Sequence, residues 1–352
     1  MRLPIAVLLS ILALVTPSLG QAERKVTKLA DGVYAIEHAV GPDGFESGNS
    51  TVIIGDRQVL VVDTCFLPSA AREDIAQIRQ WTDKPVAFVV NTHFHNDHNL
   101  GNRVYMDAFP ALTIIAHAET KREMDMFGPG SASREERGLA SLRKMQETGK
   151  TQSGRELTAE EKTEVQEALS RRVPIVEEIK GMEFQSATLT FDHDFTIDLG
   201  KREVQIKFLG RGNTGGDAVV FLPAEKIVAA GDLVVSPIPY IYDGYPSEWI
   251  RTLDILTGLN ATTIVPGHGP VMHDFSYVFL IRDLLKSAVD QMDAELKRTR
   301  PAMFHTLDDI KGAVDLSAFR SRFAGSDKDR GDAFDAMAAN LVRVVFHEAS
   351  LR

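Results

Sequence analysis

Between positions 93 and 98 the chain places three histidines and an aspartate in six residues, His93, His95, Asp97 and His98, directly after the apolar run Val86–Val90. Imidazole and carboxylate are the side chains that hold divalent zinc well. With 10 His in 352 residues a single histidine is unremarkable, whereas this combination arises by accident in roughly one chain per thousand or fewer. His93 and His95, one residue apart at a strand end, point to the same side and can grip one ion. Asp97 and His98 continue toward Gly101 and can reach a second ion, as a two-metal hydrolytic centre requires. His38, His193, His305 and His347 stand alone in the sequence and read as surface histidines.

The run resembles the His-x-His-x-Asp-His signature of the metallo-β-lactamase superfamily. Three further markers follow in the same order: Gly210-Arg211-Gly212-Asn213-Thr214-Gly215-Gly216-Asp217, then Gly231-Asp232, then Pro266-Gly267-His268-Gly269. Asp63, in Val61-Val62-Asp63-Thr64, is similar to the family's early strand-end aspartate, and the similarity runs over residues 33–274. The resemblance implies an α/β protein, an αβ/βα four-layer sandwich, that holds zinc as one or two ions, with iron or manganese as alternatives. Carried over position by position, it implies that His93 and His95 bind the first ion, that Asp97, His98 and His268 bind the second, and that Asp232 joins the two. Asp63 would orient ligands by hydrogen bonds without touching metal. One position departs from the pattern, because Asn213 stands where the family's Gly-His-Thr motif supplies a third histidine. An amide oxygen is a poorer zinc ligand than imidazole, so several outcomes stay open. Asn213 coordinates weakly or through a water; the first position fills only with substrate; the second ion works alone; or the protein binds metal without turnover.

An ion held there would lower the pKa of a bound water toward neutrality and so supply a nucleophile. Asp97 would orient it and take its proton. The stretch from Leu233 to Tyr245 carries no Lys or Arg, which lowers the expectation of a substrate carboxylate held there. Arg211 is the candidate substitute, with a structural role as its alternative. Tyr240, Tyr242 and Tyr245, with Phe45 from a glycine-bearing loop, suggest an aromatic pocket, or else a loop packed on the core. The expected activity is hydrolysis of an ester, lactone or amide of a small-molecule substrate, β-lactams included. An iron-binding oxidoreductase and a non-catalytic metal-binding accessory protein are the other readings.

These residues need a scaffold, and the pattern around them supplies one. Apolar runs at Ser50–Ile54, Gln58–Val62, Val86–Val90, Leu112–Ala116, Thr188–Phe191, Phe195–Leu199, Glu203–Leu209, Ala218–Leu222, Ile227–Ala230 and Thr262–Val265 read as strands, several of them covered on both faces. Ala70–Trp81 reads as a helix. Residues 23–274 form the expected main domain, in which 118–181 is a helical insertion with flexible breaks at Gly128-Pro129-Gly130 and at Thr151–Gly154, either a solvated excursion or a lid. Residues 275–352 form a helical extension whose stripe Ile281, Leu285, Ala288, Met292 and Leu296 packs on the main domain or on a second copy.

Residues 1–22 have the pattern of a cleavable secretory signal, with Gly20 or Ala22 before the cut. That predicts a periplasmic or secreted protein without stable membrane insertion after cleavage. The lone Cys65 excludes an intramolecular disulfide and reads as a structural thiol. A composition 44% hydrophobic and 25% charged is that of a globular chain, and a net charge of −10 argues against nucleic acid as a partner. Monomer and homodimer are both compatible with it.

Overall fold

The computed structural model describes residues 24–38, 47–298, 306–310 and 312–351. The signal-like segment, Phe45 and His305 lie outside them. Seven strands, β1 (Lys25–Ala30), β2 (Val33–Glu37), β3 (Ser50–Ile54), β4 (Val59–Val62), β5 (Val86–Val90), β6 (Thr113–His117) and β7 (Leu189–Phe191), form one sheet in chain order. Five more, β8 (Asp194–Asp198), β9 (Glu203–Phe208), β10 (Ala218–Leu222), β11 (Ile227–Val235) and β12 (Thr263–His268), form the second, ordered β12-β11-β10-β9-β8.

The period of two along each strand decides the layers. In β4, Leu60 and Val62 face inward to meet Val220 and Leu222 of β10. Val59 and Val61 face outward onto Ile75 and Ile78 of helix α1 (Pro68–Trp81). In β10, Val219 and Phe221 turn out onto Trp249 and Leu253 of α7 (Pro246–Thr257). Each central strand is therefore apolar on both faces, and the order of layers is helix, sheet, sheet, helix, the αβ/βα sandwich. Burying one such Val, Leu or Ile contributes roughly 1.5–3 kcal/mol.

Between β5 and β6 lie α2 (Asn96–Asn99) and α3 (Asn102–Ala108). The insertion folds as α4 (Ala118–Phe127), α5 (Ser131–Thr148) and α6 (Ala159–Ile179), with α6 started by a reciprocal capping box between Thr158 and Glu161. Leu139, Leu157, Val165, Leu169 and Val176 give it a small core of its own, and Ile175 and Ile179 pack on Leu100 beside α2. The break expected at 128–130 is instead one 3-10 turn, in which Gly128 is buried under Phe184. After β12 come α8 (Ser276–Arg298), α9 (Leu307–Ile310), α10 (Ser317–Ala324) and α11 (Lys328–Ser350). The α8 side chains Ile281, Leu285, Ala288 and Met292 are buried with Phe334, Leu341 and Val345 of α11 and with α7. No helix of the described residues is long and apolar enough to cross a membrane.

Four strands differ from the sequence expectation. The hairpin β1–β2 was not anticipated. β11 does not stop at Ala230 but runs through Gly231-Asp232 to Val235, and β12 runs on to His268.

Candidate metal centre

Two of the parallel pairs, β4 with β5 and β11 with β12, end at the same edge of the sandwich and deliver the candidate ligands there. Past β4 the backbone turns at Asp63 and Cys65, both left-handed with φ of 56° and 57°. Past β5 it runs through His93 and His95 into the single turn of α2, which carries Asp97 and His98. In the β11–β12 pair the register shifts between Gly231 and Val235, an irregularity of the kind that re-aims a side chain, and Asp232 projects toward His268. The segment Gly48–Asn49 stitches the halves together. Gly48 N donates to the Asp97 carbonyl at 3.0 Å and Asn49 N to the Gly267 carbonyl at 2.7 Å.

Six expected ligands converge. His98 Nε2 lies 3.2 Å from Asp232 Oδ1, 3.4 Å from Asp97 Oδ2 and 3.1 Å from His268 Nε2. His268 Nε2 lies 3.0 Å from Asp97 Oδ2 and 3.6 Å from Asp232 Oδ1. On the other side of Asp232, His93 Nε2 is 3.5 Å from Oδ2 and 3.0 Å from His95 Nδ1. Asp63 accepts from Thr92 N at 2.8 Å and Thr92 Oγ1 at 2.7 Å, and faces His98 Nδ1 at 2.9 Å. The carboxylate thus fixes the His98 ring with Nε2 toward the cluster, as an outer partner of a metal-bound histidine does.

Burial opposes charge on His98, but Asp232, Asp97 and Asp63 outweigh it and hold the imidazole well above its usual range. Burial and the neighbouring His98 push His93 well below its own, leaving a neutral ring. Burial would raise Asp97 and Asp232, yet the surrounding imidazoles hold both below the ordinary carboxylate range. Asp232 Oδ1 and His268 Nδ1 are buried without a hydrogen-bond partner among the described residues. Two carboxylates, four imidazoles and a buried acceptor left unsatisfied fit a borderline divalent cation such as zinc. The fit is fullest around Asp97, His98, Asp232 and His268. At the first position His93 groups with His98 and Asp232, His95 stands beside His93, and Asn213 lies on the wall of an adjoining cavity that His95 also borders.

The cluster opens into a cleft of about 420 Å³ bordered by Phe66, Leu67, Ile175, Tyr240 and Tyr242. The two tyrosine rings stack at 5.7 Å, and Tyr240 lies 5.7 Å from the His268 ring. The insertion forms part of this wall through Ile175. Arg211 requires correction: it borders neither cavity, because Glu248 takes its guanidinium, with Nε 3.0 Å from Oε2, and the Tyr245 ring lies 3.9 Å beneath it. Cys65 is fully buried, and burial pushes its thiol up and away from reactivity.

His38 also departs from the surface reading, being only 6% exposed. Its Nδ1 faces the Gly48 carbonyl at 2.7 Å and its Nε2 faces Asp74 Oδ2 at 2.9 Å. Two acceptors require two donors, so the ring is an imidazolium. Burial opposes that charge, and Asp74 together with Cys65 reverses the balance, holding His38 well above its usual range. Arg24 Nη2 braces the other Asp74 oxygen at 2.9 Å. Gly48 in turn packs flat on the His98 ring, where a Cβ would come within 2.3 Å of Cε1. Sequence spacing gave no signal for this positioning chain, since Asp74 lies 36 residues from His38. His38→Gln is expected to weaken metal affinity about 10- to 100-fold, measured by competition with a fluorescent chelator; unchanged affinity would sever the link from His38 to the ligands.

A family model described as the metallo-beta-lactamase superfamily matches residues 43–268. A linear primary-alkylsulfatase of Pseudomonas sp. is 23% identical over 229 residues, covering 60% of this chain and 39% of its own length. A type 2 metallo-beta-lactamase of Elizabethkingia meningoseptica is 26% identical over 88 residues, 23% of this chain and 35% of that protein. The chain thus spans well under half the length of these curated relatives. Among solved structures, a metallo-beta-lactamase from Pontibacter korlensis superposes with a TM-score of 0.54 at 18% identity, over 75% of this chain and 99% of that one.

Proposed function

Because this chain belongs to the metallo-beta-lactamase superfamily, we propose that it is a metal-dependent hydrolase that cleaves an ester, lactone or amide bond of a small molecule. The observation that carries this reading is the convergence on the buried His98 of Asp97, Asp232 and His268, three residues that border an aromatic-walled cleft. Those four residues would hold one ion firmly, with His93 and His95 completing a second position where Asn213 replaces a nitrogen ligand. A divalent ion bound there supplies Lewis acidity and lowers the pKa of a coordinated water toward neutrality.

The protein's own contribution is positional. Asp97 is the most exposed of the four, 34% by its side chain against 3% or less for the others, so its carboxylate can orient an incoming water and receive a proton. Asp63 and Gly48 keep His98 from rotating. Phe66, Leu67 and Ile175 give the cleft an apolar side on which the non-reacting part of a substrate can rest. Among the described residues Arg172 is the one guanidinium that borders the cleft, and Glu135 occupies it, with Nε 2.8 Å from Oε2, so a neutral carbonyl substrate fits better than a polyanion. The pattern of residues 1–22 supports export to the periplasm or medium.

Metal analysis after mild dialysis, paired with turnover of an aryl ester, a lactone, a cephalosporin and a primary alkyl sulfate with and without chelator, tests the proposal. Zinc-dependent turnover of a carbonyl substrate is expected. Turnover of the alkyl sulfate alone would move the substrate class toward that of the alkylsulfatase relative, bound iron without hydrolysis would favour redox chemistry, and weak metal binding without turnover an accessory role. Asn213→His is expected to raise zinc content by about one equivalent, since it restores a nitrogen at the first position; the same analysis reads it, and unchanged content would place residue 213 away from the ion.

A further inference from the structure

Beside the metal cleft, and sharing His95 and Asn96 with it, lies a second cavity of about 650 Å³. Phe94 and Phe127, with ring centroids 5.5 Å apart, line it together with Tyr245 and Leu351. That is an aromatic wall with room for a bicyclic ring system. Two polar groups on the wall lack partners among the described residues. Asn213, 3% exposed, has an unbonded Nδ2, and Glu123 has an unbonded, buried Oε2.

A buried donor left unpaired is costly, and so is a buried acceptor, so a ligand that satisfies both is favoured. Burial and then Glu119 push the Glu123 carboxyl up to about 7, so at neutral pH it can either accept or donate. A hydroxyl group both accepts and donates, so it satisfies this pair in either protonation state of Glu123, which neither a carboxylate nor an ammonium does. The cavity's outer wall comes from α11, through Val344 and His347, and α11 lies beyond the residues that match the family.

We propose that this cavity binds the alcohol half of the substrate, an aromatic alcohol whose oxygen meets Asn213 and Glu123 once hydrolysis has freed it as a hydroxyl, and that α11 sets this preference. The assignment rests on the hydrolase reading for its place in catalysis, but not for the binding itself. A substrate lying across His95 and Asn96 would put its acyl part in the cleft of Tyr240 and Tyr242 and its aryl alcohol against Phe94 and Phe127.

Calorimetric titration of the full chain with 2-naphthol reads binding without turnover. The wild type is expected to bind it, and His347→Trp, which fills the cavity from its exposed rim, to weaken binding about tenfold or more, a loss of about 1.4 kcal/mol. Leu351→Asp, at a position 76% exposed and outside the core, should weaken it in the same direction and guards against misfolding of the first variant. In parallel, the preference in kcat/KM for 2-naphthyl acetate over methyl acetate should fall by a similar factor in both variants. Absence of 2-naphthol binding, or binding that neither variant moves, overturns the proposal whether or not esters are cleaved. Binding that both variants weaken, with neither ester cleaved, supports the cavity assignment while the hydrolase reading fails.

Discussion

Asp232→Asn is expected to strip the protein of its metal and lower kcat/KM for its best ester about a thousandfold, about 4 kcal/mol of transition-state stabilisation. Asp232 is the one side chain whose two oxygens serve both halves of the centre, Oδ1 toward His98 and His268 and Oδ2 toward His93. Asparagine keeps the shape but offers a single neutral oxygen, and it directs N–H groups at nitrogens whose lone pairs must face a cation. It also removes the negative charge that offsets a buried, positively polarised His98. The loss should appear as parallel falls in zinc per chain and in turnover, with an unchanged far-ultraviolet dichroism spectrum. A variant that retained its zinc and cleaved ester within about threefold of the wild-type rate would show that the ion is held elsewhere.

The candidate ligands were legible in the sequence because metal chemistry is written locally. Imidazoles and carboxylates at close spacing after a strand have few other reasons to occur together, and the Gly-Asp and Gly-His pairs that complete the centre sit at ends of apolar runs. Strands buried on both faces, such as β4 and β10, were legible for the same reason. β1 was not, because as an edge strand it exposes Lys25, Val26 and Lys28 and buries no residue fully, a pattern that suits an edge and hides it from an apolar-run reading. The continuation of β11 was hidden because Gly231-Asp232 looks like a turn, and only pairing with β12 holds it extended.

What no local pattern could disclose is pairing across the chain. His38 looked like an isolated surface histidine until the fold set Asp74 against one nitrogen and the Gly48 carbonyl against the other. Arg211 looked available to a substrate until Glu248, 37 residues on, took its charge. Both are questions of which partner arrives, and long-range partnership is set by topology, not by residue type.

Gly267→Ala is expected to reproduce the metal loss of Asp232→Asn without altering any ligand. A Cβ at 267 would lie 1.9 Å from Asp232 Oδ1, 2.7 Å from the Gly231 carbonyl carbon and 2.9 Å from Asp232 N. The carboxylate could swing aside, but the backbone contacts cannot be relieved so easily. β11 and β12 are paired strands in the core, with Val228 and Val265 buried beside the contact, and the Gly267 carbonyl is held by Asn49 N. Overpacking of this kind costs about 1–3 kcal/mol, which should lower the melting temperature by several degrees. The displaced carboxylate should cost most of the bound zinc. Gly312→Ala, where a Cβ would meet nothing within 4 Å, is the matched control for the substitution itself. If the Gly267 variant held its full zinc complement at reduced stability, the close approach of β12 to Asp232 would be a matter of packing alone, and the carboxylate's position would have to be fixed by the ion itself.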